Sequence, residues 1–205
     1  MEGRSAARRL HSITGLVPVG AFLVFHLWTN TASARGAEAF DAAARRLQNL
    51  PFSLAAEILL IGLPLVFHGV YGLYLSAAVE PGSPRPTRAR VALSRLQRAT
   101  GVVVFAFLFF HLWTARLVQI RDHSSVDLYR LIQAALASRW ITWLYFAGIL
   151  AAIVHLAAGV WTSADAWGLL RTRVARALTG VTAAAVFTVL AVWSLVALKG
   201  FALRP

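Results

Sequence analysis

The chain has no cysteine among its 205 residues. Disulfides, zinc–thiolate sites, iron–sulfur clusters and covalently attached c-type haem all need cysteine, so the chain cannot hold any of them by itself. Charged residues are also few, at 14%, where soluble domains have about 25%. With hydrophobic residues at 59%, this composition is typical of an integral membrane protein. Any redox centre in the chain must therefore be held by histidine.

Acidic residues are scarce as well, eight against 20 basic residues, of which all but Lys199 are arginine. The arginines lie between long apolar runs and so belong to membrane loops, which argues against nucleic acid as a partner. Eleven basic residues fall in the loops on the N-terminal side and nine in the loops on the other side. This difference favours, by a narrow margin, a cytoplasmic N-terminus for a multi-pass protein of the bacterial cytoplasmic membrane.

Five uncharged stretches, each 17 to 25 residues long, match the roughly 20 residues that cross a bilayer core as a helix. We therefore predict an all-α integral membrane protein of one domain (residues 1–205), whose first four helices form a bundle with an internal two-helix repeat. The predicted spans cover about residues 12–33, 54–78, 97–117, 140–163 and 177–199.

The connections between the spans differ in character. Residues 36–49 and 125–138 are rich in Ala, Leu and Arg, which predicts a short surface helix in each. Residues 80–86 contain three prolines, which predicts a non-helical linker.

The internal repeat appears in two kinds of motif. Residues 9–15 (RLHSITG) resemble residues 95–101 (RLQRATG) at an offset of 86, and the run HLWT that begins at His26 recurs at His111 at an offset of 85. The second and fourth spans each carry one H-x-x-x-G motif, at an offset of 87. These motifs are His68 with Gly72 and His155 with Gly159.

Helix rise places the four repeat histidines at two depths. His26 lies about 15 residues, or roughly 22 Å, from the N-terminal edge of the bilayer core, and His111 is at nearly the same depth. His68 and His155 lie roughly 22 Å from the opposite edge, so the two pairs are about 15 Å apart in a core of about 30 Å. A lone intramembrane histidine is commonly a packing residue, but four at matched positions favour axial ligation of haem iron.

Four glycines support haem over a bare metal ion. Gly72 and Gly159 lie one turn after their histidines, where a missing side chain leaves room for a porphyrin. Gly15, eleven residues before His26, and its repeat mate Gly101 are predicted to press against the haem of the other pair. A close helix contact explains any one of these glycines equally well.

The chain resembles the cytochrome b subunit of succinate dehydrogenase, in its single-chain form with five spans and two haems. The motifs that carry this resemblance run through most of the sequence. They are residues 8–12 (RRLHS), 34–40 (ARGAEAF), 50–52 (LPF), 68–74 (HGVYGLY) and 95–98 (RLQR).

The resemblance implies two haems b, one ligated by His26 and His111 and the other by His68 and His155. It also implies a flavoprotein subunit and an iron–sulfur subunit docked on the N-terminal side of the membrane. Electrons from succinate would then pass through the iron–sulfur subunit and the two haems to a quinone, expected to be menaquinone. Fumarate reduction would reverse this direction.

Four further residues are candidates for the chemistry around these haems. Glu57 is the acid nearest the start of a span, so it is a candidate for moving protons to a quinone; an interfacial ion pair is the alternative. Arg9 and its repeat mate Arg95 are candidates to pair with haem propionates, although positive-inside topology explains them as well. His11, at the edge of its span, is a candidate contact for the quinone or the iron–sulfur subunit.

Two alternatives remain open at the level of the sequence. One is the cytochrome b subunit of a hydrogenase or formate dehydrogenase, which also holds haem between histidines in the membrane. The other is a haem-free protein, either a passive anchor or a small proton-coupled transporter that uses the histidines as relays.

Overall fold

A computed structural model describes residues 2–77, 87–117 and 127–202 of the chain, and these are helical almost throughout. The described residues include no β-strand, and five of their helices are long and apolar enough to cross a membrane. The predicted all-α membrane fold is therefore confirmed. The five helices, called the first to fifth spans below, are Ala6–Arg35, Ser53–Ala77, Arg88–Thr114, Arg139–Ala166 and Arg173–Ala202.

Three of the spans include a wide π-helical turn, whereas the fourth and fifth are α-helical throughout. The turns are Gly15–Val19, Glu57–Gly62 and Leu112–Leu117. The α-helical segments around them are Glu2–Thr14, Gly20–Asn30, Ser53–Ala56, Leu63–Ala77 and Arg88–His111, and a 3-10 turn, Thr31–Arg35, ends the first span.

Proline accounts for two of the π-helical turns. Pro18 lies inside the first, and Pro64 follows the second by two residues. Because proline has no N–H, the carbonyl four residues earlier loses its helical partner, and a wider turn absorbs the misfit.

The helices extend beyond the predicted spans, most clearly at the start of the third. The hydrophobic stretch predicts a start near residue 97, but the helix begins at Arg88. The side chain of Thr87 accepts a hydrogen bond from the N–H of Arg90 at 3.3 Å and so caps this start. Arginine is a good helix former, so the helix continues past the edge of the apolar stretch.

The fourth span lies at the centre of the bundle. Its buried positions include many small residues, such as Gly148, Ala151 and Ala157, which allow neighbouring helices to approach closely. Ile153 of this span packs with Leu27 of the first span and Leu190 of the fifth. The second span, by contrast, has no fully buried residue in its described helix. One side of it packs on its neighbours, and the other exposes apolar side chains such as Leu59, Leu60 and Val66.

Because the number of spans is odd, the first span begins at one membrane face and the fifth span ends at the other. These are called the N-terminal face and the C-terminal face below. Both predicted short helices are confirmed at the C-terminal face, as Ala37–Gln48 (the first loop helix) and Leu128–Leu136 (the second loop helix). The predicted linker at residues 80–86 lies outside the described residues, and so does the remaining histidine, His123.

The two loop helices pack against the end of the fifth span and form a buried cluster, called the C-terminal-face cluster below. Its apolar members are Ala32, Phe40, Tyr129 and Phe201. The hydroxyl of Tyr129 donates to the carbonyl of Gly200 at 2.7 Å, and Ser33 Oγ donates to the carbonyl of Ala197 at 2.9 Å. These bonds fasten the end of the first span and the second loop helix to the end of the last helix.

A buried acid joins the two loop helices. Oδ1 of Asp41 accepts a hydrogen bond from the backbone N–H of Tyr129 at 3.1 Å. Burial, together with a hydrogen bond to the Asp127 carboxylate, raises the pKa of the Asp41 carboxyl above its usual value. The folded state therefore favours the protonated form of Asp41, and this contribution to stability is lost as the pH rises through the raised pKa.

We expect Asp41→Asn to abolish the loss of stability that comes from ionisation of Asp41 at higher pH. Asparagine keeps the hydrogen-bond acceptor for Tyr129 and stays neutral at every pH. The measurement is the thermal unfolding midpoint of the purified protein in detergent from about pH 4, the ordinary range of a carboxyl group, to about pH 8. Wild type should lose more stability than the variant across this range. Glu38→Gln, an exposed acid on the same helix, is the control and should behave like wild type. An equal pH dependence in Asp41→Asn and wild type would contradict the prediction.

Candidate haem sites

Two pairs of histidines lie side by side within the bundle. The ring centres of His68 and His155 are 6.1 Å apart, and those of His26 and His111 are 5.8 Å apart. In each pair the ring planes are nearly perpendicular, at 78° and 77°. These are the pairs that the depth argument groups together, while their role as ligands stays a prediction.

The pair nearer the N-terminal face is held by backbone carbonyls of the first and third spans. Nδ1 of His68 lies 2.9 Å from the carbonyl oxygen of His11, and Nδ1 of His155 lies 3.1 Å from that of Gln97. Because a carbonyl only accepts, each Nδ1 carries the proton and donates it. Each Nε2 is then the unprotonated nitrogen, which is the form of imidazole that binds a metal. In this structure Nε2 of His155 lies 3.4 Å from the side-chain amide nitrogen of Gln97.

The two carbonyls are accessible because a glycine follows each of them by four residues. A Cβ on Gly15 would overlap the ring of His68, and a Cβ on Gly101 would lie 2.9 Å from Cε1 of His155. Both glycines are therefore needed so that the imidazoles can approach the helix backbone. Gly15 and Gly101 were predicted to press against a porphyrin; the structure places them against the histidines themselves.

The glycines of the two H-x-x-x-G motifs make room for the side chains at repeat-matched positions 11 and 97. A Cβ on Gly72 would lie 3.0 Å from Cε1 of His11, and one on Gly159 would lie 3.4 Å from Nε2 of Gln97. The His11 ring is stacked on His68, with ring centres 4.1 Å apart and planes 2° from parallel. His11, which was predicted at the edge of its span, therefore lies directly against His68, one of the predicted haem ligands.

Two polar atoms in this region are buried without a hydrogen-bond partner among the described residues, Nδ1 of His11 and Oε1 of Gln97. Buried polar atoms are rarely left unpaired in proteins. Both side chains border a cavity of about 430 Å³ that also contacts His68 and His155. The cavity can therefore accept a group with polar or charged parts as well as apolar ones.

The same cavity extends to the N-terminal face, where Arg8 and Arg9 are among its lining residues. The indole N–H of Trp167 donates to Ser12 Oγ at 3.0 Å and joins the first span to the end of the fourth. Arg9 is therefore in position to meet an anionic group in the cavity. Its repeat mate Arg95 lines a different cavity, so the structure does not bring the two arginines together.

Aromatic rings enclose the second histidine pair. Phe22 stacks on His26 at 5.4 Å, and Phe107 stacks on His111 at 5.6 Å. The ring of Phe107 occupies the place where a Cβ of Gly148 would lie, so this glycine admits the ring. Nδ1 of His111 is buried without a partner among the described residues.

A hydroxyl pair lies beside His111. The ring centre of Tyr145 is 5.8 Å from that of His111, and the Tyr145 hydroxyl lies 2.9 Å from Oγ1 of Thr114. Thr114 comes from the repeated HLWT motif, but nothing in the sequence pattern singles out Tyr145.

The chain is 39% identical over 163 residues to the succinate dehydrogenase cytochrome b558 subunit of Bacillus subtilis (strain 168), which covers 79% of each chain. This chain belongs to the succinate dehydrogenase cytochrome b family. No family model matches the chain, and no solved structure matches it.

For a member of this family, the described residues fit haem b. Two imidazoles that bind one iron from opposite sides have ring centres roughly 6 Å apart, since a metal–nitrogen bond is about 2 Å long. Both pairs have this spacing, at 6.1 and 5.8 Å. A porphyrin supplies the other four ligands, so two histidines are all that each site must provide.

Glu57 lies away from the carbonyl-bound pair. It is the first residue of a π-helical turn of the second span and is half-buried. Helix rise places it about 16 Å from His68 toward the C-terminal face. Eleven residues separate Glu57 from His68, and eleven also separate His26 from Gly15, which touches His68. Glu57 and His26 therefore lie at the same depth in the membrane.

Sequence reasoning missed three residues of these sites. Gln97 supplies a backbone carbonyl to His155, and Gly148 leaves room for the ring of Phe107. Both roles depend on which helices are neighbours, and the sequence pattern of a single helix does not show this. The repeat itself carries a signal for Gln97, because it aligns with His11. Tyr145 carried no signal beyond its position in a span.

We expect Gly15→Ala and Gly101→Ala to destabilise the protein by about 1–3 kcal/mol each, the usual cost of overpacking a closely packed site. Gly62→Ala is the matched control, because a Cβ there would meet only the Glu57 carbonyl at 3.5 Å. Alanine also favours helix over glycine, so this control should be neutral or slightly stabilising. Thermal unfolding of the three variants in detergent checks the prediction, and equal stability of all three would contradict it.

Proposed function

We propose that this chain is the membrane cytochrome b subunit of a succinate dehydrogenase and holds two haems b. His68 and His155 ligate the haem nearer the N-terminal face, and His26 and His111 ligate the other. A flavoprotein subunit and an iron–sulfur subunit dock on the N-terminal face, which is cytoplasmic in a bacterial membrane. The chemistry that the two haems supply when bound is one-electron transfer between the iron–sulfur subunit and a quinone, expected to be menaquinone, with fumarate reduction as the reverse.

The observation that carries this proposal is the matched pair of Nδ1 hydrogen bonds to the His11 and Gln97 carbonyls. A packing histidine needs any one partner, whereas a fixed Nδ1 proton at His68 and His155 makes Nε2 the nitrogen that can bind a metal. The chain makes this arrangement twice at repeat-related positions, each time with a glycine that gives access to the carbonyl. Relay histidines of a transporter would instead need both ring nitrogens to exchange protons.

The chain's other residues prepare a site that suits a flat, mostly apolar group with two acidic substituents. Phe22 and Phe107 enclose the rings of His26 and His111 and keep water away from them. Arg8 and Arg9 at the N-terminal face place positive charge where propionate groups of the nearer haem would reach.

Glu57 is proposed to carry protons between the C-terminal face and a quinone near His26. Quinone reduction takes up protons as well as electrons, so a titratable group at that depth is required if the protons come from this face. The shared depth of Glu57 and His26 supports this role.

The test of the haem proposal is a dithionite-reduced minus oxidised spectrum of the purified complex, with haem quantified as the pyridine haemochrome. We expect about two haems b per chain in wild type. His26→Ala and His111→Ala should lose the same spectral component, and His68→Ala and His155→Ala should lose the other. His123→Ala, the histidine outside the repeat, is the control and should keep both.

Absence of a Soret band in wild type, or losses that group His26 with His68, would reject the proposed ligand pairs. Absence of the flavoprotein and iron–sulfur subunits from the purified complex would reject the assignment to succinate dehydrogenase separately.

For Glu57→Gln we expect both haems to be retained and succinate:quinone reductase activity to fall by about 10²-fold or more, the usual contribution of a proton-transferring group. Reduction of the haems by succinate should remain fast, because this substitution leaves the histidine pairs intact. Full quinone reductase activity in Glu57→Gln would show that the protons take another route.

A further inference from the structure

A second cavity, of about 460 Å³, lies at the N-terminal face between the start of the third span and the end of the fourth. Arg90, Arg95 and Arg98 line it on one side, and Trp161 and Asp165 line it on the other. It is adjacent to the histidine cavity, with Thr162 and Ala166 in the shared wall, but no histidine borders it. The function proposed above makes no use of it.

Positive charge dominates this cavity. Nη2 of Arg90 and Oδ2 of Asp165 form an ion pair at 2.7 Å, and this pair joins the two spans. The lining contains three arginines and one acid, a formal charge of +2. Arg95 and Arg98 carry the charge that Asp165 does not balance. An anion is therefore the complementary occupant.

The cavity also has the depth and apolar lining of the membrane interface. Arg90 and Arg98 are eight residues apart, or about 12 Å along the helix. The polar headgroup layer of a bilayer is about 5–8 Å thick on each side. The row of arginines is therefore long enough to span this layer and reach the edge of the hydrocarbon core. Val91, Leu93 and the indole of Trp161 complete the lining, and tryptophan is typical of this depth.

We propose that this cavity binds the headgroup of an anionic phospholipid, with its phosphate diester between Arg95 and Arg98. Basic pockets between membrane helices commonly bind such headgroups. The apolar side of the cavity distinguishes a lipid from free phosphate, which carries no glycerol or acyl part to cover Val91 and Leu93. Trp161 packs against Gly180 of the fifth span, where a Cβ would lie 3.5 Å from the indole, so the bound lipid would also border the fifth span.

The test measures binding of phosphatidylglycerol to the intact, delipidated complex in detergent by native mass spectrometry, with phosphatidylcholine and inorganic phosphate as comparisons. Wild type should bind phosphatidylglycerol saturably and in preference to phosphatidylcholine. Removal of both charges in R95Q/R98Q should weaken this binding roughly 25-fold, since each arginine near an anionic lipid contributes about fivefold. R171Q/R173Q, exposed at the same face, is the control and should bind as wild type does.

Equal weakening in the two double variants would show general charge attraction and overturn the proposal. Competition by inorganic phosphate at concentrations similar to those of the lipid would identify free phosphate as the occupant and also overturn it. Binding that appears only after the soluble subunits are removed would mean that a partner protein covers the cavity. A double variant R95Q/R98Q that loses haem and keeps lipid binding would assign the arginines to a propionate instead.

Discussion

Inside a bilayer the Nδ1–H of a histidine has no water to accept it, so a protein group must do so. For His68 and His155 the acceptors are backbone carbonyls of the first and third spans, and a carbonyl has a second lone pair for such a bond even when it is already bonded within its helix. An imidazole can reach such a carbonyl only where the helix surface has no side chain. Gly15 and Gly101 meet this condition, and they let the second span contact the first and the fourth span contact the third.

This constraint explains why the repeat keeps some residues and not others. Position 11 is histidine and its mate, position 97, is glutamine, yet each supplies a carbonyl to the histidine of the following span. The chain separates donor and acceptor by 57 residues in one repeat and 58 in the other. The backbone contact is thus kept while the side chain and the exact spacing differ.

The five spans and both loop helices could be predicted because length, apolarity and helix-forming residues are local properties. The two histidine levels followed from helix rise alone. For Gly15, Gly72, Gly101 and Gly159 the sequence shows that space is left but not which neighbouring side chain lies there. Arg95 was grouped with Arg9 by the repeat, but the third and fourth spans turn it toward another cavity.

An order of assembly follows from the C-terminal-face cluster. Its acceptors include the carbonyls of Gly200 and Phe201, which receive bonds from Tyr129 and Gln133. These residues follow both loop helices in the chain, so the contacts of the cluster cannot form until the fifth span has been made. The first four spans, with all four repeat histidines, are inserted before that moment. Closure of the C-terminal face therefore comes after the segments that carry these four histidines have been made.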